Sequence, residues 1–141
     1  MSGGRTVLAL VGAALLAACG SSTTGGGAGP DMRGTWTYSA SQNSPAATLD
    51  GTMTVDNQSD GSFTGSMSVT QHLNGNATQL SGALNGSGVD VQTVQFDVFL
   101  NTSARTHVGT VRADTVAGFW YEALNGGGTA TGSFRAIRSS P

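Results

Sequence analysis

The chain has 141 residues, with six Arg, no Lys, eight acidic side chains and a formal net charge of −2. Charged residues make up 10%, where about a quarter is usual, while 22 Gly, 16 Ser and 18 Thr together fill about two fifths of the chain. So little positive charge excludes a basic nucleic-acid binder, a single cysteine excludes an internal disulfide framework and a cysteine-ligated zinc site, and the lack of Lys beside one Glu (Glu122) disfavours surface helices.

In chain order, the first element is an address. Arg5 precedes an uncharged apolar run, Val7 to Leu16, of signal-peptide length and too short to span a bilayer. Leu16-Ala17-Ala18-Cys19-Gly20 follows. This segment resembles the bacterial lipoprotein signal, an aliphatic residue and two small residues before an obligatory Cys. Residues 1–18 are then a lipoprotein signal peptide and Cys19 is the lipidation site. The resemblance implies acyl chains on the Cys19 thiol and on its new amine, and several acyl chains give a stable anchor without a transmembrane helix. It also implies a bacterial cell-envelope location. Gly20 stands where an Asp favours inner-membrane retention in Gram-negative bacteria, which points to the outer membrane. Residues 19–30 comprise the lipidated Cys and a Gly/Ser-rich tether with no large side chain to bury.

Residues 31–138 form one domain, and its period is two. Trp36 and Tyr38 alternate with Thr and Ser. Leu49, Met53 and Val55 share a face, as do Phe63, Met67 and Val69, then Leu80 and Leu84, then Val94, Phe96, Val98 and Leu100. Val89 and Val91 are in the opposite phase, which predicts a bulge near Gln92-Thr93. Weaker strands follow over 106–112, 116–121 and 129–137. This makes eight strands of about six to ten residues. Asn57 to Gly61, Asn74-Gly75-Asn76, Asn85 to Gly88 and Asn125 to Gly128 read as turns, because these residues tolerate positive φ. Connections this short allow only antiparallel neighbours.

An apolar-x-Gly-x-apolar pattern recurs five times, centred on Gly51, Gly65, Gly82, Gly118 and Gly132. Each Gly shares the face of its apolar flanks. A missing side chain lets a strand coil tightly, as a small closed barrel requires, and closure removes exposed sheet edges. The predicted fold is all-β, an eight-stranded antiparallel up-and-down β-barrel.

Gly34-Thr35-Trp36 resembles the Gly-x-Trp that opens the first strand of calycins. Phe63-Thr-Gly65-Ser-Met67 and Leu80-Ser-Gly82-Ala-Leu84 resemble segments of avidins and streptavidin. The resemblance implies a calycin-like barrel in which Trp36 closes one end against a basic residue of the last strand, Arg135 or Arg138. It does not carry biotin binding over. Met67 and Leu84 stand where avidins place a Tyr, Tyr38 where they place an Asn, and no late Asp follows Asp114.

No constellation in the sequence carries catalysis or a metal. His72 reads as a solvated turn residue and His107 as a polar-face or barrel-rim residue; their spacing fits no ligand motif, and no nucleophile elbow is present. The expectation is a non-enzyme without cofactors. Nine aromatics without clear interfacial girdles, beside a lipid anchor, disfavour a membrane-spanning barrel. An eight-strand barrel holds its own side chains or one small ligand. For a small apolar ligand the expected wall is Tyr38, Met67 and Trp120. The partners expected are thus the membrane, through Cys19, and either such a ligand or another envelope protein that meets a filled barrel.

Overall fold

The computed structural model describes residues 29–101 and 103–140. The signal segment, Cys19 and most of the tether lie outside the described residues. The eight strands are β1 (Gly34–Gln42), β2 (Ala47–Ser59), β3 (Ser62–Leu73), β4 (Asn76–Gly88), β5 (Thr93–Leu100), β6 (Ser103–Arg112), β7 (Thr115–Ala123) and β8 (Thr129–Ser140). Each pairs antiparallel with its sequence neighbours, and β8 returns to β1, closing the barrel. The up-and-down barrel expected from the period-two pattern is the observed fold.

The alternation sets inside from outside. Trp36, Tyr38, Met53, Met67, Leu84, Phe96, Trp120 and Phe134 are all buried, and all belong to one core cluster. Their strand neighbours, mostly Thr and Ser, face out. Phe99 and Phe119, which alternate with inward residues, are about half exposed.

The five motif glycines lie on the inner face, and each stands in register beside a large residue: Gly51 by Tyr38, Gly65 by Leu84, Gly82 by Met67, Gly118 by Phe134 and Gly132 by Trp120. At all five, a backbone carbonyl oxygen of an adjoining strand occupies the space a Cβ would take. The strands therefore coil closer than a side chain permits, and the large neighbour fills the room left inside.

Two turns follow the expected chemistry. Asp60-Gly61 and Asn74-Gly75 have positive φ at both central residues, the two-residue hairpin geometry whose twist matches the strands. Two expectations are corrected. Asn85 to Gly88 is not a turn but the end of β4; a side chain at Gly86 would collide with Phe63 and Phe96, so this Gly serves packing. There is no bulge at Gln92-Thr93. Residues 89–92 form the β4–β5 loop, and Val89 and Val91 are exposed there. The register shifts fall instead between Val55 and Asn57 and between Thr35 and Trp36. Several strands are also longer than expected, 13 residues in β2 and β4.

The two ends of the barrel differ. At the end where β1 begins, residues 29–33 lie across the opening as a strap. Met32 is fully buried, its N–H donates to Gln58 Oε1 (2.7 Å) and its carbonyl accepts from Trp36 Nε1 (2.9 Å). Gln58 Nε2 donates to the Pro30 carbonyl (2.9 Å), and Gly29 packs on Gly88. Arg138 stacks on Trp36 at 4.4 Å, donates to the carbonyls of Asp31 and Arg33, and meets Asp114 at 3.4 Å. Of the two basic residues named for that role, Arg138 fills it. The opposite end carries the β1–β2, β3–β4, β5–β6 and β7–β8 loops. There the β4–β5 ladder stops at Leu84↔Val98, although β4 continues back to Asn76.

Candidate binding site at the loop end

β6 brings two inward residues to the candidate site, Arg105 and His107, which share the inward phase with Gly109 and Val111 further along the strand. His107 is fully buried, which corrects its expected place on a polar face or rim. Its ring stacks on Phe96 (centroids 4.6 Å, planes 6° apart) and meets Phe134 edge-on at 5.0 Å. Nδ1 faces the Arg105 carbonyl at 3.1 Å. A carbonyl only accepts, so Nδ1 carries the proton and Nε2 is the acceptor for the Tyr38 hydroxyl at 2.9 Å. Burial pushes the His107 pKa down to about 3, the charge of Arg105 acting in the same direction and the hydrogen bond to the Arg105 carbonyl opposing it. Burial also holds the Tyr38 phenol protonated, well above its ordinary range. The barrel centre is thus a neutral, hydrogen-bonded pair inside an aromatic cluster.

One layer nearer the loops, Arg105 lies over Trp120 at 4.4 Å. Its Nε donates to Glu122 Oε2 at 2.8 Å, with both side chains largely buried (7% and 12% exposed). Trp120 Nε1 donates to the Ser41 carbonyl at 3.1 Å. Arg105 Nη1 is buried and has no hydrogen-bond partner. An unmet buried donor costs on the order of 1–3 kcal/mol, and more when the group is charged. Gln42, also buried, donates to the Pro45 carbonyl and accepts from Gln71 at the rim.

Of the three expected wall residues, Tyr38 and Trp120 are brought together around His107, the first by its hydrogen bond and the second by register on β7. Met67 is buried across the barrel, paired with Met53. The clefts of about 280 and 250 Å³ lie on the outer surface, beside the strap and on the β1–β8 face, and none of the three lines either one. His72 is exposed, 3.0 Å from Asp50. Among the described residues no three His, Cys, Asp or Glu side chains are grouped to hold a metal.

No protein-family model and no curated protein matches the sequence. Solved structures do. The chain is similar to EF1p2_mFAP2b bound to DFHBI (TM-score 0.64, 9% identity, covering 76% of this chain and 93% of that one). It is also similar to the redesigned β-barrel mFAP1 bound to DFHBI (0.58, 11%, 75% and 94%) and to a de novo designed fluorescence-activating β-barrel (0.52, 15%, 76% and 93%). At these identities the likeness establishes the barrel fold.

Proposed function

We propose that this chain is a bacterial lipoprotein, anchored through Cys19, whose barrel binds a small, uncharged, largely apolar ligand at its loop end. The observation that carries the ligand reading is Arg105 Nη1, a buried donor without an acceptor, on the Trp120 face at the end opposite the strap. Glu122 already neutralises the guanidinium, so a carboxylate ligand would meet like charge while a carbonyl or ether oxygen would not. Leu80, Leu100 and Ala130 are buried near the same end, beside the Gln42 amide, which suits a largely apolar body carrying one acceptor. Two of the similar barrels hold the small molecule DFHBI, so the architecture accommodates such a guest. The centre of the barrel is filled by its own rings, and the ligand therefore sits above Trp120 rather than beside Met67. No step of this function is chemical, and the protein is not an enzyme.

A second reading has its own observation. Phe119 and Tyr121 project from the outside of β7 and are roughly half exposed, so an envelope protein would find an apolar patch there.

Each half of the proposal has a test. The Cys19→Ser variant should stay unacylated and keep its signal segment, read by intact mass; acyl chains on that variant would remove the anchor. Wild-type protein from its host, denatured and extracted, should release a stoichiometric small molecule. Extraction that yields nothing, together with saturable capture of one envelope protein lost on Phe119→Ser, would put the second reading first.

A further inference from the structure

We propose that the β4–β5 loop is a membrane contact, in which Val89 and Val91 enter the interfacial layer of the bilayer that holds the acylated Cys19. The inference rests on the anchor reading and adds an orientation to it. Val89 and Val91 are the most exposed large apolar side chains among the described residues, at 62% and 71%. They stand on a braced loop. Asp90 Oδ1 accepts from the N–H groups of Gln92 (2.8 Å) and Thr93 (2.7 Å), and Val89 N–H donates to the Thr93 carbonyl (2.7 Å). The Asp90 carboxylate is thereby turned to its own backbone, whose N–H groups hold its pKa below the ordinary range. The two valines are left as the outward side chains on either side of it.

The chain supplies the occupant. Gly29, the first described residue, packs on Gly88, the residue immediately before Val89. Cys19 precedes Gly29 by ten residues. Ten residues reach at most about 35 Å. An anchor at Cys19 therefore holds the strap end within about 35 Å of the lipid surface, at high effective concentration. The apolar loop beside the entry point is what that surface meets first. The same geometry turns the Arg105–Trp120 end away from the membrane.

The test uses the full-length lipidated protein in vesicles of phosphatidylethanolamine and phosphatidylglycerol. A bimane label at Val91→Cys should shift to the blue and be quenched by nitroxide-bearing lipid. The same label at Gly126→Cys, in the β7–β8 loop with open space around it, should not respond. Replacing Val89 with Ser in the labelled protein should lower the quenched fraction severalfold, and replacing both valines, read by a label at Asp60→Cys, by on the order of tenfold. Acylated protein with equal quenching, or none, at positions 91 and 126 would overturn the contact while leaving the anchor intact. Protein without acyl chains would overturn both.

Discussion

Trp36→Ala should destabilise the barrel by about 3–5 kcal/mol, the range for deleting a large buried aromatic. Trp36 is fully buried, and its loss acts on three neighbours at once. The Met32 carbonyl loses the indole donor, Arg138 loses the ring it stacks on, and the strap loses its floor. For a domain near 100 residues a change of this size lowers the melting temperature by at least about 15 °C. Calorimetry of wild type and variant measures it. A cost under about 1 kcal/mol would mean that the strap end is held by something other than Trp36.

Acid should weaken the fold through His107. The sign follows from the two states: the folded pKa is about 3, against roughly 6.5 when unfolded. Below pH 6.5 the unfolded chain binds a proton that the folded chain refuses. Stability is therefore full above about pH 6.5 and falls as the pH drops toward 3, by about 1.4 kcal/mol per unit. The window from 6.5 to 4.5 lies above ordinary carboxylate titration, and there the loss should reach about 2.5 kcal/mol. Urea denaturation across that window gives the slope. His107→Phe should flatten it, because the new ring can stack between Phe96 and Phe134 but takes no proton. The variant leaves the Tyr38 hydroxyl without its acceptor and should be less stable at pH 7 by about 1–3 kcal/mol. An unchanged slope in His107→Phe would place the acid sensitivity elsewhere.

Much of the architecture is legible in the sequence because its causes are local. Trp36 and Tyr38, or Met53 and Val55, alternate with Thr and Ser strongly enough to define faces. The five inner glycines mark where neighbouring backbones approach. Asn85 to Gly88 misleads for the same reason that Gly is ambiguous: Gly86 makes room for Phe63 and Phe96, two rings that only the closed barrel brings there. Val89 and Val91 look like strand residues because β-branching is all the sequence displays, whereas the Asp90 side chain bonds that make the loop reach residues 92 and 93.

The site is less legible. Cys19 stands out by motif, but its structural surroundings lie outside the described residues. Tyr38 and Trp120 are identifiable as large inward residues. Their partners Arg105 and His107 are not, because a charged and an imidazole side chain on β6 read as outward when judged alone. A signal does exist: Arg105, His107, Gly109 and Val111 share one phase, and His107 is in register with Trp120. Recognising it requires knowing that Thr106 and Val108 face out, and that depends on pairing with β5 and β7.

The most direct test of the loop-end site uses the two tryptophans, one at each end of the barrel. In Trp36→Phe the only indole is Trp120, under Arg105; in Trp120→Phe it is Trp36, under the strap. Each variant is titrated with prodan, an uncharged aromatic ketone that accepts energy from Trp. The proposed site requires saturable transfer from Trp120 that tracks quenching of that indole, and a weaker response from Trp36 at the far end. Saturable transfer that is equal from both indoles, or no transfer from Trp120 up to the solubility limit of the dye, would contradict a binding site at the loop end.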